Sequence, residues 1–250
     1  MERRYATSLS RGMQLLDSFR DRPDQSITEI ARHTGLAKSS AVRLAAALAS
    51  DGFLARDEHS KRYRLGLRLW ELGSLAIQRD GLLQAGRRAV RELAEETDET
   101  VVLAVLDGVD VVYIDKLEGT KAIVARLAGR NPAHAVSSGK ALLSCLSDDE
   151  LRRRLPSSLP TFTTRTVGDR DTLIQQLEVI RAKGGLVVNR GEFRPEVGGI
   201  ASPIFHPMGN STAALGLSMP LTRMSDEVVE RYIGAVRRAA RVASGLPDRL

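Results

Sequence analysis

The sequence predicts an α+β chain in two parts: a short helical segment closed by a small hairpin, then a larger domain of mixed helices and strands. Three observations carry that expectation. Residues 10–51 read as three short helices with clear start and stop signals. Residues 53–65 read as two short strands around a charged tip. Beyond Asp80-Gly81, β-branched runs and amphipathic helices share the chain, the pattern of an α+β domain. A length of 250 residues suits one large domain or two smaller ones and slightly favours two.

Each element has its own reason. Met13, Leu15, Leu16 and Phe19 recur at helical spacing, and Asp21-Arg22-Pro23-Asp24 reads as a turn. Ser26-Ile27-Thr28-Glu29 is a capping box, with Ser26 as cap and Glu29 reaching back. Ile27, Ile30 and Ala31 supply the apolar face of this second helix, and Gly35 stops it. Ala31 and Gly35 are expected at a close helix crossing, where small residues fit and glycine takes a positive φ. The third helix runs from about Lys38 to Asp51 and ends at Gly52. Phe53–Arg56 and Arg62–Leu65 flank the tip Asp57-Glu58-His59-Ser60-Lys61.

Residues 66–79 form an apolar helical linker, in which Trp70 reads as a packing or dimer-contact residue. Residues 82–97 form an amphipathic helix rich in Arg and Glu. Val101–Leu106 and Val109–Ile114 are strands joined by Asp107-Gly108, a strong hairpin signal. Ile123–Leu127 is a further strand, and Gly139–Leu146 and Asp148–Leu155 are short helices. Asp171–Lys183 is a helix stopped by Gly184-Gly185. Strands at Leu186–Asn189 and Ala213–Met219 precede a last helix, Ser225–Ser244.

Composition excludes several classes. At 42% apolar and 27% charged residues, the chain is neither wholly disordered nor collagen-like. A lone cysteine, Cys145, rules out a disulfide framework and a multi-cysteine metal or cluster site. It reads as a packing residue inside an apolar helix. With four histidines no metal site is expected, and no cofactor either. No apolar run has the length of a signal peptide core or a membrane span, so a cytoplasmic protein without a membrane partner is expected. The net charge of +6 concentrates at the front: residues 1–78 carry 13 basic and 9 acidic side chains. That asymmetry suits a polyanion, although 31 of the 37 basic residues are Arg, so it also fits a general coding habit.

Three helices and a charged-tip hairpin make a winged helix-turn-helix. On the third helix, a 100° step places Leu44, Ala45 and Leu48 on the side of Ala41, facing inward. Ser39, Arg43 and Ala46 face outward. That face is narrow enough for a major groove and carries a guanidinium for guanine or phosphate. Hydroxyls and N–H groups at the helix start, with Lys38, suit phosphate. The candidate DNA-contacting residues are Ser26, Thr28, Lys38, Ser39, Ser40 and Arg43, with Lys61 and Arg62 at the wing.

With those residues in place, the chain resembles a known family. Ser8-Leu9-Ser10-Arg11-Gly12, the stretch from Ile27 to Leu48, and Tyr63-Arg64-Leu65-Gly66 are similar to the N-terminal domain of IclR-type bacterial transcription regulators. His134-Ala135-Val136-Ser137-Ser138-Gly139-Lys140-Ala141 resembles that family's loop-to-helix motif. Gly191-Glu192 and Ile200-Ala201-Ser202-Pro203-Ile204 match further on, so the resemblance covers about residues 8–245. It implies a winged helix-turn-helix DNA-binding domain over 1–66, a linker helix over 67–80, and a GAF-like effector-binding domain over 81–250. It also implies a double-stranded DNA operator, a small organic effector such as a carboxylate or aromatic acid, and a homodimer or homotetramer. Effector contacts fall by that resemblance on Ser137, Ser138, Asn189, Gly199 and Ser218, with Leu127, Ala128 and Gly139 as further candidates. Asn189 stands where many members carry Asp, and Gly199 where some carry Cys. The pocket is therefore expected to be less acidic at one wall and larger at another.

The same loop admits rival chemistry. Ser137-Ser138-Gly139-Lys140 opens a helix and could form an anion cradle. It is not a P-loop, because His134 and Ala141 occupy positions that need Gly and Ser or Thr. Ser137 and Lys140 do match the S-x-x-K spacing of serine hydrolases, but the accompanying S-D-N and K-T-G elements are absent. Lys140 reads instead as a solvated or ion-paired helix residue, and no catalytic residue is expected. A nonspecific architectural DNA binder is the remaining alternative; an enclosed pocket with polar anchors argues against it. His33 and His59 are expected at the surface, and His134 near the cradle. Arg190 is a candidate partner for an effector carboxylate, with Glu192 and Glu196 as competing partners.

Overall fold

The computed structural model describes residues 7–78, 81–121, 129–205 and 211–246. The chain divides into two compact units, Met1–Arg79 and Asp80–Leu250.

In the first unit, helices α1 (Thr7–Asp17), α2 (Ile27–Thr34) and α3 (Lys38–Ser50) precede the hairpin β1 (Leu54–Arg56) and β2 (Tyr63–Leu65). Leu15, Phe19, Ile30, Ala41, Ala45, Leu54 and Tyr63 form its core, with Leu44 and Leu48 packed against them. Those are the inward residues that the helical period of α3 selects. The capping box closes reciprocally: Glu29 N–H donates to Ser26 Oγ (3.3 Å) and Ser26 N–H to Glu29 Oε2 (2.7 Å). Gly35 sits at φ 67°, but an added Cβ there meets nothing within 4 Å. The glycine therefore serves the left-handed turn and not the close crossing expected from the sequence. Gln25 bridges to Tyr63 through both backbone groups, tying the turn before α2 to the wing. Helix α4 (Leu67–Gln78) follows, with Leu67, Trp70, Leu72 and Leu75 exposed.

The second unit is a six-stranded antiparallel sheet in the order β5-β4-β3-β8-β7-β6. Its strands are β3 (Thr100–Asp107), β4 (Asp110–Leu117), β5 (Arg130–Pro132), β6 (Val187–Arg190), β7 (Val197–Phe205) and β8 (Ser211–Pro220). The hairpin forms as expected, but Asp107 pairs with Asp110 and the two turn residues are Gly108, at φ 64°, and Val109. One face of the sheet packs against α5 (Gly81–Thr97) and α9 (Asp226–Ala243) through Leu93, Leu103, Ile200, Leu217 and Val236. The other packs against α6 (Ser137–Leu143), α7 (Asp148–Arg154) and α8 (Arg170–Ala182) through Leu143, Leu173, Leu177, Ala201 and Ala214.

Some sequence expectations need correction. Strand β7 lies inside the sheet, between β8 and β6, and has no counterpart among the expected strands. Helix α6 stops at Leu143, so Cys145 lies in the turn after it and is half-buried, its Sγ 3.4 Å from the Ala141 carbonyl. His33 is half-buried, with Nδ1 2.7 Å from Gln25 Oε1. The expected strand Ile123–Leu127 lies outside the described residues.

Candidate functional site

The register of the sheet explains how residues far apart in sequence meet. Asn189 on β6 pairs with Gly199 on β7, and Gly199 pairs with Ser218 on β8. Cross-strand partners share a face, so these three positions form one rung beneath α6. The 3₁₀ turn Ala133–Ala135 and α6 lie over that rung. Gly139 makes the approach possible: an added Cβ would sit 2.1 Å from the Ala133 carbonyl oxygen.

A cleft opens where α6 meets the rung, lined by Tyr113, Asn131, Ser137, Asn189, Phe193, Arg194, Gly199 and Ser218 among others. A water-sized sphere has about 30 Å³ of space in it, within about 390 Å³ between the walls and mouth. That accommodates a water and no organic molecule until a wall moves. Ser137 is 6% exposed and Ser218 8%, and neither hydroxyl has a hydrogen-bond partner among the described residues. Asn189 is held at both ends, its Nδ2 donating to Ala135 O (3.1 Å) and its Oδ1 accepting from Glu192 N–H (3.2 Å). Burial pushes the Tyr113 phenol above its usual range, opposed by a hydrogen bond with Ser138 and by the Arg194 charge.

The structure thus brings four of the candidate effector residues together: Ser137, Asn189, Gly199 and Ser218. Ser138 reaches the cleft through its hydrogen bond with the cleft residue Tyr113, and Gly139 packs closely against Ala133. Leu127 and Ala128 lie outside the described residues. The Gly199 wall is not enlarged as expected, because Ser137 Oγ occupies the space a Cβ would need (2.6 Å). Arg190 is not in the cleft; it donates to Met224 O (2.7 Å) and pairs with Asp226 (3.2 Å). Sequence reasoning missed Tyr113, Asn131, Phe193 and Arg194, which carry no motif and come from a strand, an edge and a loop.

Lys140 does not meet Ser137. Its ammonium is 3% exposed and bonds to the Glu192 carboxylate and to Gln176 Oε1 (3.0 Å). It is ion-paired and buried, so the nucleophile-and-base contact of a serine hydrolase is not made. His134 is buried with Nε2 2.8 Å from Pro160 O.

On the first unit, Lys38, Ser39, Arg43 and Ala46 are exposed along one side of α3, and Thr28 is exposed on α2. Lys38 and Arg43 have no partner among the described residues. Ser40 is half-buried. Ser26 is spent on its cap. Arg62 pairs with Asp24 and with Glu29 (2.8 Å), joining the wing to the start of α2. Its side chain stays 37% exposed, so these pairs give it a bracing role beside the expected DNA contact. Lys61 takes φ 58° at the exposed wing tip, 3.4 Å from Glu58. The tip is organised by Asp57, whose carboxylate accepts Ser60 N–H (2.7 Å) and His59 N–H (3.1 Å). The Ser60 bonds hold that carboxyl below its usual range.

A three-helix unit with a wing, followed by a sheet-and-helix unit with a mainly apolar cleft that carries a few polar groups, defines a DNA-binding regulator with a sensory domain. Comparison with known proteins gives the family. The IclR helix-turn-helix domain matches residues 8–58, and the C-terminal domain of the bacterial transcriptional regulator IclR matches residues 74–245. The regulator XynR of Escherichia coli is 31% identical over 93% of both chains. BhcR of Paracoccus denitrificans is 33% identical over 95% of this chain and 86% of its own. An IclR homologue from Microbacterium hydrocarbonoxydans, crystallised with 4-hydroxybenzoate, superposes with a TM-score of 0.82 at 32% identity, covering 95% of this chain and 98% of that one. The chain belongs to the IclR family of transcription regulators. It is a DNA-binding regulator with a C-terminal effector-binding domain, and its relatives are regulators and not enzymes. No helix among the described residues is long and apolar enough to cross a membrane.

Proposed function

We propose that this regulator senses a small organic acid in the cleft between α6 and the Asn189–Gly199–Ser218 rung. The observation that carries this is a pair of hydroxyls, Ser137 and Ser218, on largely buried residues that line the cleft, with no hydrogen bond to another of the described residues. Their hydroxyls open onto the cleft and stay available to donate to a ligand seated there. Arg194 at the wall favours an anion, and Phe193 with Tyr113 favours an aromatic or compact apolar body. A neighbour's complex with 4-hydroxybenzoate agrees with that chemistry. The effector need not be the same compound.

The DNA reader is the exposed side of α3, with Ser39 and Arg43 toward base edges and Lys38, Ser40, Thr28 and Lys61 toward phosphate. Readers act in pairs on a roughly palindromic operator in the cytoplasm, within a homodimer or homotetramer. Leu67 and Trp70, the latter 71% exposed, make α4 an apolar surface suited to a second copy. A thermal-shift screen of carboxylates and aromatic acids tests the sensor. A hit that stabilises the wild type and loses its effect in Ser137→Ala/Ser218→Ala supports it. A hit unaffected by that pair of changes refutes it.

A further inference from the structure

A second cavity is lined by residues distinct from those of the first. It runs along the edge strand β6 between α8 and α9, with about 680 Å³ of space for a water-sized sphere. Its walls include Val179, Ile180 and Ile233, with Val179 exposed. Lys140, Gln176 and Glu192 also line it, and Lys183 and Arg237 are exposed on it. The buried Lys140 ammonium has three donors and two acceptors, Glu192 and Gln176. The cavity's ionisable lining is three cations, Lys140, Lys183 and Arg237, against two carboxylates, Glu192 and Glu230.

We propose that this groove is a second ligand site, for a small amphipathic monocarboxylate. Its apolar body lies on Val179, Ile180 and Ile233, and its carboxylate meets Lys183 and Arg237. Lys140 and Glu192 neutralise each other, which leaves two exposed cations, Lys183 and Arg237, against one exposed carboxylate, Glu230, so the rim attracts an anion. Long basic side chains at a rim also extend apolar stems over a ligand while keeping their charges in water. The groove shares α6 with the effector cleft: Ser137 faces the cleft and Lys140, three residues on, the groove. The test must therefore separate the two sites.

Octanoate is the probe, titrated calorimetrically into the full chain, with octanamide as its neutral counterpart. Octanoate should bind the wild type more tightly than octanamide does. Lys183→Gln/Arg237→Gln should weaken octanoate about tenfold, the scale of two exposed ion pairs, and leave octanamide unchanged. Ser137→Ala/Ser218→Ala should leave octanoate affinity within about twofold, since those hydroxyls face the other cavity. No octanoate binding to the wild type overturns the proposal. So does equal affinity for the rim variant, and so does loss in the Ser137/Ser218 variant, which would place octanoate in the effector cleft.

Discussion

A Cβ on Gly199 would lie 2.6 Å from the hydroxyl of Ser137, so the absence of a side chain on β7 is what seats the first residue of α6 against the sheet. The same Cβ would meet the Leu217 carbonyl at 3.0 Å. Ser137 gives way more easily than backbone does, and its available direction is the cleft.

Gly199→Ala is therefore expected to cost about 1–3 kcal/mol as an overpacked core position and to abolish effector binding. Ser137→Gly in the same chain removes the clashing oxygen and Cβ and should recover much of that stability. A double-mutant cycle by urea unfolding of the second unit measures the coupling. Strict additivity would show that the two positions do not touch.

Lys140→Met leaves the Glu192 carboxylate half-buried without its cation. Breaking one side of a buried pair costs about 3–5 kcal/mol, and the partial exposure of Glu192 puts this case toward the lower figure. Because Glu192 precedes Phe193 and Arg194 in the cleft wall, effector affinity should fall as well. Replacing Glu192 by Gln in the Lys140→Met chain should restore part of the stability. Chemical denaturation that shows no loss for the single variant contradicts the pairing.

The cations of the DNA-binding unit differ in how far acidic neighbours already compensate them. Arg43→Ala should lose about 1–3 kcal/mol of specific binding where the guanidinium reads a base. Lys61→Gln should lower the slope of log K against log salt by about one phosphate contact. Arg62→Gln should leave that slope nearly unchanged, because its charge is held by Asp24 and Glu29. Salt titrations of operator affinity check all three, and a full unit of slope lost on Arg62→Gln contradicts the brace.

Acid should loosen the DNA-binding unit through His33. Burial, with the charges of Arg22 and Arg32, holds its pKa below the usual 6.5. The unfolded chain then binds the proton more readily than the folded one. The His33 contribution is complete above about pH 6.5 and fades as pH falls toward the lower folded value. Thermal melting of the first unit should decline across that window, and His33→Gln should flatten the decline.

Much of the first unit was legible because its signals are local. A capping box, a positive-φ glycine and a helical period each act within a few residues. The effector unit was legible where a local signal existed, as at Asp107-Gly108. Strand β7 was missed because Gly198, Gly199 and Pro203 read as breakers, and because a strand covered on both faces shows no alternation. Pro203 is tolerated because it lies beyond the end of β6, opposite only Ala214. The bracing pairs of Arg62 were not legible for the reverse reason: their acceptors are 33 and 38 positions away, and only the folded wing brings them together. Ser138 and Gly139 share a motif with Ser137, yet successive helix positions point about 100° apart, and of the three Ser137 lines the cleft itself.

The account rests on an anion bound by Ser137 and Ser218, and isothermal titration of the strongest thermal-shift hit tests it most directly. The wild type should bind one equivalent per chain. Ser137→Ala/Ser218→Ala should bind more weakly by about 1–3 kcal/mol, with effector-free operator affinity unchanged. Equal effector affinity in the two proteins would contradict it.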